Sequence, residues 1–169
     1  HTDSPQWNKV PDFIGLCCIN PAKKGGESKF VSVYKIHNEM LKMHEDYLLL
    51  LYNKFHFDKR GEFEEGESPT VHEPIFEFED NSLKCRYLRN YINDGHKIQK
   101  LPLNNKQVEA LDYFDEIIHA ETNAAEYNLL KKDIVFFNNN RIIHGRTSFE
   151  DFEDKEKKRL MIRAWIKDN

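Results

Sequence analysis

Two histidines and one aspartate are the residues of this sequence best suited to bind a metal ion. His1 and Asp3 are separated by one residue, so both side chains leave the same face of the backbone if this segment is the end of a strand. His144 stands at the end of an apolar, strand-like run. Two imidazoles and one carboxylate can occupy one face of an Fe(II) ion and leave its other positions open. We therefore predict that the two ends of the sequence share one metal site.

Two arginines near the end of the chain predict a site for an anion. Arg159 and Arg163 are four residues apart on an apolar, strand-like segment, so their side chains share a face. Met161 and Trp165 lie on the same face, which is unlike a solvated surface. A guanidinium on such a face needs a partner, and its fork of N–H donors matches a carboxylate. Because the sequence fixes no protein acid as that partner, we predict a carboxylate ligand.

Short apolar or alternating runs predict that much of the chain is β-structure. Residues 13–19 are nearly all apolar, residues 30–34 alternate, and residues 74–79 alternate ahead of a return segment at 83–92 that fits a hairpin. Residues 58–70 are acidic, contain glycine and proline, and predict an exposed loop that could close over a substrate. Its acidic side chains could bind a cationic amine, although most acidic loops are simply solvated.

Two helices are predicted between these strands. Apolar residues at spacings of three and four indicate one amphipathic helix over about residues 35–52. Asn104, followed by Gln107, resembles a capping box that opens a second helix. Several short strands with two inserted helices favour a β-sandwich or barrel that carries its helices on one side.

Composition limits the class of protein. The chain has 169 residues, of which 39% are hydrophobic and 32% charged, and its net charge is -4, as expected of one soluble domain. No block of basic residues indicates nucleic acid, and no apolar run approaches the length of a membrane span. The odd cysteine count, with Cys17 beside Cys18 and Cys85 far away, is not a disulfide framework. We therefore expect free thiols and a cytoplasmic protein.

Four segments together resemble one known family. They lie at residues 1–3, 25–28, 140–146 and 159–163, in the order and spacing found in the Fe(II)/2-oxoglutarate-dependent dioxygenases of the taurine dioxygenase and clavaminate synthase-like group. The resemblance extends from the first residue to the last. Members of that group usually have a further segment ahead of the His-x-Asp motif. We therefore expect residues 1–169 to be a single catalytic domain that forms the C-terminal part of a longer chain.

The resemblance implies a fold and a set of ligands. The fold would be mainly β with flanking helices, a distorted double-stranded β-helix, or jelly roll. His1, Asp3 and His144 match the residues that hold iron in the family. Arg159 matches the arginine that pairs with the far carboxylate of 2-oxoglutarate. Ser28 matches a residue that hydrogen-bonds the same carboxylate and is usually threonine, and serine keeps the hydroxyl group.

The resemblance also implies a reaction and candidate substrate contacts. With Fe(II), 2-oxoglutarate and O2, the enzyme would release succinate and CO2 and hydroxylate an unactivated C–H bond of a small, amino-acid-like molecule. Asp3 favours hydroxylation over halogenation, because related halogenases lack the carboxylate. Arg163 matches a second arginine near cosubstrate or substrate. Arg86 and Arg89, in a segment similar to members that act on free or carrier-bound amino acids, and Arg146 are candidates for binding the substrate.

Three alternatives remain open from the sequence. Desaturation, or another oxidation, uses the same centre and the same motifs. A β-helix domain that binds metal or a carboxylate without turnover is a second possibility, although it would not need the complete set of residues. A zinc hydrolase with two histidines and one carboxylate is the third. It lacks an obvious general base and leaves Arg159 unexplained, and metal identity and cosubstrate dependence distinguish these readings.

Overall fold

A computed structural model of the chain describes residues 1–79 and 81–167. Its strands are β1 (Phe13–Asn20), β2 (Lys24–Gly25), β3 (Ser28–Ser32), β4 (Lys54–Asp58), β5 (Thr70–Pro74), β6 (Phe76–Glu79), β7 (Ser82–Cys85), β8 (Ala125–Tyr127), β9 (Ile134–Asn138), β10 (Ile142–Arg146), β11 (Phe149–Glu150) and β12 (Leu160–Ile166). Its α-helices are α1 (Val33–Met43), α2 (Glu45–Leu51), α3 (Arg89–Ile98) and α4 (Asn105–His119). Short 3-10 helices lie at Glu121–Asn123 and Lys155–Lys157.

Two antiparallel sheets position the residues of interest. One has the strand order β12-β1-β9 and the other has the order β10-β3-β8. Their inner faces meet in a small apolar core in which Ile14, Leu16 and Phe137 of the first sheet pack with Phe30 and Ile142 of the second. This arrangement is a distorted double-stranded β-helix, as predicted.

The second sheet also supports the helices. Val31 of β3 and Ile143 of β10 point away from the first sheet and belong to a larger core. There they join buried side chains of the helices, such as Ile36 of α1 and Leu111 and Phe114 of α4. The prediction of helices on one side of a β-core is confirmed, since one sheet separates the helical layer from the interior between the sheets.

The long helix predicted over residues 35–52 is two helices. The break is at His44, whose backbone is not helical at φ -149° and ψ 68°. Its imidazole stacks on Tyr47, with ring centroids 4.9 Å apart, and meets the edge of Tyr113 of α4 at 4.6 Å. Tertiary packing against α4 accompanies the break, and the spacing of apolar residues does not report such a contact.

The local signals for the second helix and for the hairpin differ in outcome. The capping box is confirmed, because Asn104 and Gln107 exchange side-chain-to-backbone hydrogen bonds at the start of α4. The hairpin of β6 and β7 forms, but its return strand ends at Cys85 rather than near residue 92. The chain enters α3 at Arg89 instead, and Ile92 is buried on that helix.

Cys17, Cys18 and Cys85 are free thiols, and burial raises the pKa of Cys85.

Within residues 1–79 and 81–167, no helix combines the length and the apolar character needed to cross a membrane. A cytoplasmic location stays a prediction.

Candidate metal centre

His1, Asp3 and His144 converge although they come from opposite ends of the sequence. Each offers a ligand atom, and these atoms all lie within 4.8 Å of one another. Oδ1 of Asp3 is 3.5 Å from Nε2 of His1 and 3.5 Å from Nε2 of His144. The two imidazole rings have centroids 4.4 Å apart. One cation placed among these atoms could contact all three side chains.

The surroundings of His144 suit a metal ligand. The residue is 5% exposed on β10, and neither of its ring nitrogens has a hydrogen-bond partner among the described residues. Buried polar atoms nearly always have a partner, and a metal ion could be the partner that this ring lacks. Burial lowers the pKa of His144, although the nearby Asp3 acts in the opposite direction. The imidazole is therefore neutral near pH 7, which is the form that binds metals.

Asp3 is held as a carboxylate by donors on β12. Nη1 of Arg163 lies 2.8 and 3.0 Å from its two oxygens, and Nε1 of Trp165 donates to Oδ2 at 2.8 Å. Burial would raise the pKa of Asp3, but the nearby rings of His1 and His144 and the hydrogen bond from Trp165 outweigh it and hold the pKa well below its usual range. Arg163 therefore has a protein acid, Asp3, as a partner that the sequence did not identify.

The segment that carries His1 and Asp3 is not the strand end that we predicted. Residues 1–3 have no regular secondary structure, and hydrogen bonds to other elements fix their conformation. The N–H of Thr2 donates to the carbonyl of Tyr87 at 2.8 Å, and the N–H of Tyr87 donates to Oγ1 of Thr2 at 3.0 Å. The N–H of His144 donates to the carbonyl of His1 at 2.9 Å. The amino group of His1 in turn donates to the carbonyl of His144 at 2.9 Å, so hydrogen bonds to β10 and to Tyr87, rather than a strand over residues 1–3, hold this segment in place.

Asn139 is a positioning residue that the sequence analysis missed. It is 1% exposed in the turn between β9 and β10. Its Oδ1 accepts from the N–H of Asp3 at 2.7 Å, and its Nδ2 donates to the carbonyls of Asp3 and Pro11, each at 3.0 Å. The only signal in the sequence is an asparagine-rich turn just before His144, and such turns are common without this role.

Replacing Asn139 with alanine should destabilise the protein and loosen the metal site. The change leaves a buried N–H of Asp3 and two carbonyls without partners, and we expect the free energy of unfolding to fall by roughly 2–4 kcal/mol. Urea denaturation of the metal-free chain measures this. Asn53→Ala is the matched control, since its amide makes only local bonds at the surface. Equal stability of the two variants would contradict the role given to Asn139.

A second group of residues surrounds the turn before β3. Gly25 and Gly26 have φ values of +73° and +80°, which favour glycine. A Cβ at Gly25 would lie 2.3 Å from the carbonyl oxygen of Ser148, and one at Gly26 would lie 3.3 Å from Nε of Arg159. Gly25 therefore lets the backbone pass close to Ser148, and Gly26 lets it approach Arg159. Ser28 follows at the start of β3 and is 4% exposed.

Arg146 and Arg159 form a pair of like charges beside this turn. Their guanidinium carbons lie 4.5 and 5.4 Å from the ring centroid of Phe149. Burial and the charge of Arg146 both lower the pKa of Arg159. Within the part of the chain that the structure describes, neither guanidinium forms an ion pair. Arg146 is on the same face of β10 as His144, roughly 7 Å along the strand, so an anion here would lie near the metal ligands.

Arg86 and Arg89, predicted as possible substrate contacts, are engaged by the protein. Nη1 of Arg86 donates to the carbonyl oxygens of Pro5 and Trp7 at 2.8 and 2.7 Å. The guanidinium of Arg89 pairs with two carboxylates of α4, those of Asp112 and Asp115, at 2.7 and 2.8 Å. These contacts give both arginines structural partners, so the geometry offers no support for a role in binding substrate.

A cavity of about 260 Å³ opens beside the ligand residues. Its lining includes Arg163 and Trp165 from β12 and Glu62 from the loop between β4 and β5. The two tryptophans that line it, Trp7 and Trp165, meet edge to face with centroids 5.3 Å apart. The acidic loop predicted over residues 58–70 therefore lines, through Glu62, the same cavity as His1 and Asp3.

The family model named taurine catabolism dioxygenase TauD, TfdA family matches residues 1–165. The chain belongs to this family. It is 35% identical over 167 residues to FR-33289 synthase of Streptomyces rubellomurinus (strain ATCC 31215), an alignment that covers 96% of this chain and 49% of that protein. It is 25% identical over 155 residues to human gamma-butyrobetaine dioxygenase, covering 89% and 39%. This TauD, TfdA family chain thus spans at most about half the length of these relatives.

A solved structure has the same fold. Asparagine oxygenase in complex with Fe(II), 2S,3S-3-hydroxyasparagine and succinate matches with a TM-score of 0.73 at 16% sequence identity. The match covers 98% of this chain and 48% of that one. At such low identity the likeness concerns the fold alone, and it confirms the predicted double-stranded β-helix. The match to the TauD, TfdA family likewise confirms the family resemblance of the four segments.

Proposed function

We propose that this chain carries the active site of an Fe(II)- and 2-oxoglutarate-dependent oxygenase that hydroxylates an unactivated C–H bond of a small, amino-acid-like molecule. One observation carries the proposal. Two histidines and an ionised aspartate place their ligand atoms within 4.8 Å of one another, and the buried His144 has no other partner among the described residues for its ring nitrogens. This donor set fits Fe(II) with open coordination positions.

The protein's contribution begins with holding the metal and the cosubstrate. His1, Asp3 and His144 would be the iron ligands, and the bound metal with 2-oxoglutarate and O2 would supply the oxidant that attacks the C–H bond. Arg159 would bind the far carboxylate of 2-oxoglutarate through charge-assisted hydrogen bonds. Ser28 would donate a hydrogen bond from its hydroxyl group to the same carboxylate. Among the described residues the guanidinium groups of Arg146 and Arg159 have no ion-pair partner, and this positive charge supports the binding of an anion here.

Arg163 would link the metal ligand to the substrate. It uses Nη1 to hold Asp3, which fixes the orientation of that carboxylate. A guanidinium has further N–H donors, and Arg163 lines the cavity, so these donors are available to an anionic group of a substrate. The arginine would thus orient both the ligand and the molecule to be oxidised, which is the main way a protein assists such a reaction.

The size and polarity of the cavity support a small, charged substrate. Its volume of about 260 Å³ is below that of most pockets for drug-sized ligands. The name of asparagine oxygenase, and the hydroxyasparagine in its complex, describe an amino acid as the molecule oxidised by that protein. By analogy of fold we propose the same class here, with hydroxylation as the outcome.

Anaerobic titration of the protein with Fe(II) and 2-oxoglutarate tests the proposal. A chelate of the keto acid on iron gives a visible charge-transfer absorption band, and we expect this band at one equivalent of metal. A parallel titration with Zn(II) is the control and should give no band. Succinate release in air, screened over free amino acids, then tests turnover. Bound iron with neither band nor succinate would favour a hydrolase or a binding domain.

A further inference from the structure

Glu62 is an acidic residue of the loop between β4 and β5 that lines the cavity beside the proposed metal site. Its Oε2 accepts two hydrogen bonds, from Nε1 of Trp7 at 2.6 Å and from Nε2 of Gln6 at 3.1 Å. It lines the same cavity as Asp3 and Arg163. In the part of the chain that the structure describes, its second oxygen, Oε1, has no hydrogen-bond donor or cation as partner.

Gln6 provides a second acceptor in the same cavity. The residue is 6% exposed, lines the cavity, and its Oε1 has no hydrogen-bond partner among the described residues. The amide orientation follows from its neighbour, because a carboxylate only accepts hydrogen bonds and the NH2 group must therefore face Glu62. The carbonyl of Gln6 is left as a buried acceptor. Such atoms are nearly always paired, so the exception points to a donor that belongs to a ligand.

These two acceptors define the chemistry of that ligand. A negative carboxylate and a neutral carbonyl oxygen favour a cation that also carries N–H groups, while Arg163, which lines the same cavity, favours an anion. We propose that Glu62 and Gln6 bind a protonated amine of the substrate. This inference rests on the proposed function and narrows its substrate class. A quaternary ammonium supplies the charge but no N–H, so it leaves Gln6 unpaired and should bind poorly.

A purely structural role for Glu62 predicts a different result. If the residue only fastened its loop to Trp7 and Gln6, the change Glu62→Gln would have little effect, because the amide oxygen of glutamine can accept the same hydrogen bonds. Removal of the charge affects a bound cation specifically. Glu62→Gln therefore separates amine recognition from a role in holding the loop.

The two tryptophans of the chain provide a binding signal that does not depend on turnover. Trp7 and Trp165 are the only tryptophans in the sequence, and both line the cavity. Their fluorescence can be followed anaerobically, with Fe(II) and 2-oxoglutarate added first and the free L-amino acids then titrated one at a time. For each amino acid that binds, its N-trimethyl and des-amino counterparts are titrated next. We expect the amine to bind about tenfold or more tightly than either counterpart.

The same titrations with two variants complete the test. Glu62→Gln should weaken binding of the amine about tenfold and leave binding of the des-amino counterpart unchanged. Glu65→Gln, a matched change of charge in the same loop without a cavity contact, should leave every affinity unchanged.

Failure of this inference is distinguishable from failure of the proposed function. If the Fe(II) and 2-oxoglutarate additions give no chelate band, the proposed function fails. If the band forms normally, two results overturn only the inference: the amine and its two counterparts bind equally, or Glu62→Gln binds the amine as the unchanged protein does. If the band forms and no amino acid binds, the inference fails together with the proposed substrate class, while the assignment of the iron and 2-oxoglutarate site stands.

Discussion

Replacing His144 with alanine is expected to lower the affinity for Fe(II) more than the roughly tenfold to hundredfold that changes around a metal ligand usually cost. Succinate formation should stop with it. The reason is geometric, since His144 supplies one of three donors and its nitrogens have no other partner among the described residues. Equilibrium titration with Fe(II) under anaerobic conditions measures the affinity, and succinate release measures turnover.

The control for this change is a histidine outside the site. His72 is exposed on β5 and stacks on His56 at 4.1 Å, so His72→Ala should bind iron normally. Circular dichroism checks that His144→Ala is folded, because the ring also packs against Phe137 at 4.8 Å. If the alanine variant does not fold, His144→Gln fills more of the space. A folded variant with unchanged iron affinity would remove His144 from the ligand set.

Replacing Arg159 with alanine should chiefly weaken binding of 2-oxoglutarate. We expect its Kd to rise about tenfold to a hundredfold, because the cosubstrate loses charge-assisted hydrogen bonds, whereas iron affinity without cosubstrate should not change. The Kd of Arg159→Lys for 2-oxoglutarate should lie between those of the unchanged protein and of Arg159→Ala, because lysine keeps the charge but not the planar fork. The intensity of the anaerobic charge-transfer band against 2-oxoglutarate concentration gives the constant.

Arg141 provides the comparison for that measurement. It is an exposed arginine that donates to Oγ of Ser82, away from the turn that contacts Arg159. Arg141→Ala removes the same charge from the surface and should leave the affinity for 2-oxoglutarate as it is. The assignment of Arg159 is wrong if its alanine variant matches this control.

Structural features that depend on residues close together in the sequence were the easiest to predict. The capping box of α4 needs only Asn104 and Gln107, and it forms as expected. The convergence of His1, Asp3 and His144 required the family resemblance as well, because the predicted strand at the first residues does not exist. The correct juxtaposition thus came with an incorrect local conformation.

Other contacts between residues far apart in the sequence could not be predicted from it. Trp165 was recognised as sharing a face with Arg163, but no pattern indicates that both contact Asp3. Arg86 and Arg89 illustrate the opposite error. The sequence shows an arginine beside aromatic residues but not what its guanidinium contacts. In the structure Arg86 donates to backbone carbonyls and Arg89 pairs with acids of α4.

The separation of the site residues along the chain has a consequence for folding. Arg163 and Asp3, which share two hydrogen bonds, are 160 residues apart, and the backbones of His1 and His144 meet across 143 residues. Contacts between such distant residues form slowly, because most of the chain must be ordered before they can stabilise it. The iron ligands should therefore assemble late. A metal that binds only the completed arrangement stabilises the folded state by mass action. The supply of iron should therefore affect how long each molecule survives proteolysis.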